Sequence, residues 1–112
     1  MGGAPKAGPE YESLFAVVIA AFARDKTVAA TRKFSTINLT TSGKVFAFTN
    51  KAGLVVKLPG PQIDQMVATG EAARLVMGKR TMKEWAVAPP HGPPWVRIAR
   101  EARAFAGEGS VT

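Results

Sequence analysis

The side chains best equipped for chemistry in this sequence are its cations. Lys79, Arg80 and Lys83 crowd one stretch, GKRTMK, just ahead of Trp85. Arg97, Arg100 and Arg103 recur every third residue near the C-terminus. Lys44, Lys51 and Lys57 decorate two apolar runs in the middle of the chain. Several such charges on one surface hold a polyanion, because each neutralised phosphate releases condensed counterions. In all, 15 Lys and Arg stand against 8 Asp and Glu, a formal net charge of +7. That excess favours nucleic acid, acidic lipid or an acidic protein as partner. A solvated cationic face explains each cluster equally well, so charge alone does not choose between them.

Other chemistries find less material. The one histidine, His91, sits in the run PPHGPP with no acid or Ser beside it. General acid–base work needs a titrating group within hydrogen-bond reach of a partner. The carboxylates are scattered singly, with Asp64 and Glu71 around one segment and Glu84 in another. Neither the paired-ligand spacing of a metal site nor a Gly-rich phosphate loop occurs. The reading is therefore a protein with no enzymatic activity, no catalytic residue, no cofactor and no bound metal. Phe46, Phe48, Trp85 and Trp95 are expected to fill the core. That would leave positive charge without a platform for reading bases, so nucleic-acid contacts would go to phosphates with low sequence specificity.

The chain has no cysteine, which excludes disulfides and thiolate metal sites and fits a reducing, cytoplasmic setting. Its longest apolar run, Leu14 to Ala23, falls short of the ~20 residues that span a bilayer. An acidic flank, Glu10-Tyr11-Glu12, precedes it, unlike a signal peptide. Lys6 stands where a myristoylation motif needs Ser or Thr. No membrane partner is expected.

These residues must be positioned by a hairpin at the centre of the chain. In GKVFAFTNKAGLVVKLP, Val45–Thr49 and Leu54–Leu58 flank a short connection ending in Gly53. Two β-branched and aromatic runs around such a turn predict paired strands. Strict alternation sends Phe46 and Phe48 to one face, and Val45 and Ala47 to the other. Leu54, Val56 and Leu58 make one face of the second strand wholly apolar, so it needs a cover. Ser35–Thr41 alternates Ile37 and Leu39 with polar residues and predicts a preceding strand in a meander. Thr27–Lys33 reads either as loop or as a short helical turn.

Three helices supply the cover. Pro9 and Glu10 open the first, with Tyr11, Leu14, Phe15, Val18 and Phe22 on one face. Pro61 opens a short second helix with Ile63, Met66 and Val67 inward and Gly70 as its C-cap. Trp95–Ala106 is the clearest, with Trp95, Ile98, Ala102 and Phe105 as its stripe and the three arginines fanned opposite. Between them, Glu71–Met77 reads as extended chain, 78–81 as a basic loop and Met82–Ala88 as a last strand. The expected fold class is α+β: an antiparallel β-meander sheet of about four to five strands, packed with an N-terminal, a short middle and a C-terminal helix. Residues 1–9 read as a disordered segment, 10–106 as one domain and 107–112 as a frayed tail.

Taken in order, Gly43-Lys44-Val45-Phe46-Ala47, Val56-Lys57-Leu58-Pro59 and Met82-Lys83-Glu84-Trp85 resemble the TfoX N-terminal domain family. The related MmcQ/YjbR-like proteins share the outline. The resemblance spans roughly Glu10 to Phe105. One departure is Phe34-Ser35, where the family often has Phe-Gly. The resemblance implies a small α+β domain, with a role in competence regulation for TfoX itself and a nucleic-acid-binding fold of the double-wing kind for the MmcQ/YjbR-like group. The residues expected to carry such binding are Lys79, Arg80, Lys83, Arg97, Arg100, Arg103, Lys44 and Lys57. The alternative is a protein-interaction or homodimerisation module, suggested by the apolar character of both faces of Leu54–Leu58.

Overall fold

The computed structural model describes residues 9–33, 36–50, 52–90 and 92–109. Its elements run α1 (Pro9–Ala21), β1 (Val28–Lys33), β2 (Thr36–Thr41), β3 (Lys44–Asn50), β4 (Gly53–Lys57), α2 (Gly60–Thr69), β5 (Ala73–Met77), β6 (Arg80–Ala88) and α3 (Trp95–Gly109). The strands form one antiparallel sheet of six, in the order β1-β2-β3-β4-β6-β5. This is the expected α+β architecture with one strand more than anticipated. The added strand is β1, in the stretch read as loop or helical turn. Its sequence, VAATRK, has little β preference of its own, but every residue pairs with β2. Pairing with a neighbouring strand decides what propensity leaves open. At the other end of the sheet, Arg80 and Thr81 belong to β6 and not to a loop.

Turn chemistry fixes the meander. Ser42 and Gly43 both have positive φ, 52° and 82°, as a two-residue hairpin turn of the primed type requires. In the next turn the Asn50 Oδ1 accepts hydrogen bonds from the Ala52 and Gly53 amides at 2.8 and 3.1 Å. Gly53 has φ 151° and lies so close to β6 that a Cβ would meet the Ala88 carbonyl oxygen at 2.0 Å. Glycine is needed there for space as well as for conformation.

Register separates the two faces. Leu39, Ala47, Val56 and Ala86 are successive partners across four strands and face the helices. Phe48, Val55, Val87 and Ala73 form the corresponding row on the other face. Phe46 departs from strict alternation. Leu39 pairs with Ala47 but Thr40 pairs with Val45, so β3 carries one residue more than β2 at this point. Phe46 is the extra residue of this β-bulge. It is fully buried on the helix side, 5.4 Å edge-to-face from Phe22, while Phe48 stays on the other face. The two phenylalanines therefore do not share a face.

The helices lie on a single side. α3 packs over β2, β3 and β4, α2 over β5 and β6, and α1 against α3 with reach to β4. Phe15, Val18 and Phe22 of the first helical segment, Ile63 and Met66 of α2, and Trp95, Ile98, Ala99, Ala102 and Ala106 of α3 meet the sheet in one core. Two positions differ from their helical stripes. Val67 is exposed, and Phe105 is half-buried while Ala106 takes the inward place. Gly70 caps α2 in the left-handed conformation, φ 83°, as its position predicts. α3 continues past Gly107 to Gly109, and residues 110–112 lie outside the described residues, as do residues 1–8 of the segment read as disordered.

Candidate nucleic-acid interface

The strands concentrate the charge. Together they carry seven Lys and Arg (Arg32, Lys33, Lys44, Lys57, Arg74, Arg80, Lys83) and one carboxylate, Glu84. Topology then gathers most of it, with Arg32 and Lys33 set apart at the opposite end of the sheet. β3 begins, β4 ends and β6 begins at the same end of the sheet, because these neighbours are antiparallel. Lys44, Lys57, Lys79, Arg80 and Lys83 consequently lie toward that end. Beyond Lys57, the last residue of β4, β5 and β6 continue as a two-stranded ribbon whose outer pairs are Val76 with Thr81 and Met77 with Arg80. Lys79, Arg80, Val76 and Met77 are all exposed on it.

The C-terminal arginines behave differently. Arg97 pairs with Glu101 one turn on at 3.7 Å. Arg103 Nε lies 3.0 Å from the Asp25 carboxylate, and its Nη2 donates to the Thr27 hydroxyl at 2.7 Å. Of the three, Arg100 alone is exposed without a carboxylate in ion-pair reach among the described residues. The expected fan is therefore mostly internal ion pairing. Arg74, which drew no notice in the sequence, is also consumed, by an ion pair with Asp64 and a hydrogen bond to the Lys83 carbonyl.

Asp25 anchors a small network. Its Oδ1 accepts from the Thr27 hydroxyl at 2.6 Å and from the Thr27 amide at 2.9 Å. These two hydrogen bonds, and then Arg103, hold its carboxyl below the ordinary 3.8, outweighing partial burial, which pushes the other way. The network ties the α1–β1 connection to α3, and its role is structural.

The helix-free face of the sheet departs most from expectation. Trp95 is core, and its indole donates to the Pro89 carbonyl at 3.1 Å. Trp85 and Phe48 are not core. They lie half-buried on the open face, ring centroids 5.8 Å apart, with planes inclined at 53°. The Lys57 ammonium stands 5.8 Å from the Trp85 ring centre. On the same face Val55, the cross-strand partner of Phe48, is completely buried although no described helix covers it. Alternation could have flagged Trp85, which is partnered by Lys57 across the strand pair. Phe48 was hidden by the bulge, which frees it from the face of Phe46.

One open groove adjoins α2 and another lies along β5. The first, about 460 Å³, is lined by Gly60, Pro61, Asp64, Arg74, Met82 and Lys83. The other, about 470 Å³, runs along β5 past Ala73, Leu75, Val76 and Val87. Among the described residues no group of three or more His, Cys, Asp or Glu could hold a metal ion. His91 lies outside them. No described helix is long and apolar enough to cross a membrane. No family model matches the chain, and no similar curated protein or solved structure is found.

Proposed function

We propose that this chain is a non-enzymatic nucleic-acid-binding module on a TfoX N-terminal-like outline, holding phosphates with low sequence specificity. The observation that carries this reading is the convergence of Lys44, Lys57, Lys79, Arg80 and Lys83 on one end of a sheet whose strands hold a single carboxylate. Fields of one sign raise the local concentration of a polyanion and speed its capture. The order of elements, a helix, a meander, a short helix, a strand pair and a last helix, supports the family outline.

Titration of labelled nucleic acid at two salt concentrations tests the reading. Binding should weaken steeply with salt, since each phosphate contact adds about 0.7–0.9 to the slope of log affinity against log salt. Reversing Lys79, Arg80 and Lys83 to Glu should flatten that slope by about 2–3 and weaken binding to every sequence alike. Affinity that is absent at low salt, or indifferent to salt, refutes the proposal.

A protein-interaction role is the second reading, favoured by the exposed Val76 and Met77 on the edge strand β5. Sedimentation over a range of concentrations separates the two, because a self-associating module shifts in mass without nucleic acid.

A further inference from the structure

The open face of the sheet bears a feature that phosphate binding does not use. Phe48 and Trp85 stand half-buried side by side, and Phe48 shares its cross-strand row with Val55 and Val87, both buried. Aromatic rings in such a place hide apolar surface, yet each keeps part of its own surface in water. Lys57 adjoins Trp85, and the cationic end of the sheet begins there. The face is thus an apolar, aromatic patch bordered by positive charge.

We infer that Phe48 and Trp85 are a stacking platform for unpaired bases, so that the module takes single-stranded nucleic acid in preference to duplex. This rests on the phosphate-binding reading and deepens it. Bases in a duplex are stacked on one another and present only their edges in the grooves, whereas an unpaired base offers a whole face to a side-chain ring. Every base has such a face, so stacking adds affinity without demanding a sequence. Lys57 is placed to meet the phosphate of a nucleotide seated on Trp85. A second copy of this chain is a poorer occupant. Joining two such faces would bring two cation-bordered surfaces together, and like charges across an interface disfavour docking.

The test uses oligothymidylate and oligouridylate of about twelve nucleotides, within the site sizes such surfaces cover, and a DNA duplex of equal length. Titrations run at about 50 mM salt, where phosphate contacts are strong. The single strands should bind more tightly than the duplex, and tryptophan emission should be quenched by them and not by the duplex. Phe48→Leu and Trp85→Leu keep an apolar side chain on this face but remove the rings. Each should weaken single-strand binding by roughly five- to a hundredfold and leave duplex binding unchanged. Should a Leu variant lose its fold, quenching in the native chain still decides. A difference between the thymidylate and uridylate titrations assigns the preferred source, DNA or RNA. Equal affinity for strand and duplex, with no quenching and no effect of the Leu variants, overturns the platform and leaves phosphate binding standing. No binding to any probe overturns both.

Discussion

Phe46 and Phe48 are chemically identical and two residues apart, yet one is sealed on the helix side against Phe22 and the other lies on the open side of the sheet. The difference comes from one surplus residue in β3. Truncation should expose it. Phe46→Ala empties a fully buried site and should cost about 3–5 kcal/mol, whereas Phe48→Ala should cost about 1–2 kcal/mol. Chemical denaturation of both variants measures the gap, and equal losses would show that the bulge does not sort the two rings. Nothing in KVFAFTN announces that bulge, because an alternating apolar run looks the same with or without it. Asp25 gives a second residue-scale expectation. Its carboxyl titrates below its ordinary 3.8, so the stability it adds is present above that value and is lost as pH falls through the lower, folded value. Asp25→Asn should therefore be less stable than the native chain near neutral pH, and the difference should close below about pH 4. Melting curves across pH read this directly, and a gap that persists in acid would count against the charge of Asp25 as its source.

At the scale of elements, segments with strong local signals were legible and those without were not. The Pro61 start and Gly70 stop of α2, the Asn50–Gly53 turn and the arginine-backed α3 all declare themselves in short stretches of sequence. Each has a local physical cause: a fixed φ, a left-handed cap or an amphipathic period. β1 lacks one. VAATRK becomes a strand because the exposed edge of β2 is available to it, and that is a property of the assembled sheet. The cap of α2 offers a quantitative check. Gly70 sits at φ 83° with open space where a Cβ would stand, so Gly70→Ala meets backbone strain and no clash. A loss of about 1–2 kcal/mol is expected, measured by thermal melting. Gly53→Ala, which meets the β6 backbone as well, should be the more damaging of the pair.

For the molecule as a whole, the candidate site was half visible. The cations could be counted from the sequence, but their allegiance could not. Arg74 of β5 and Arg97 and Arg103 of α3 sit in ion pairs with Asp64, Glu101 and Asp25, so part of the positive charge is answered within the fold. Of the other cations, Lys44, Lys57, Lys79, Arg80 and Lys83 gather where β3 and β6 begin and β4 ends, which follows from strand order and register alone. The projecting β5–β6 ribbon has a second consequence. β5 is an edge, with unpaired backbone groups on its outer side and Val76 and Met77 about three-fifths exposed beside them, 59% and 60%. Such an edge invites strand addition by any neighbour, and charge is the usual guard against it. Lys79 and Arg80 stand at that guard post. Neutralising both to Gln should make the protein aggregate faster on mild heating, seen by light scattering, even with its melting temperature unchanged. Cations that recruit a polyanion would then also be gatekeepers that keep one copy of the chain from templating the next.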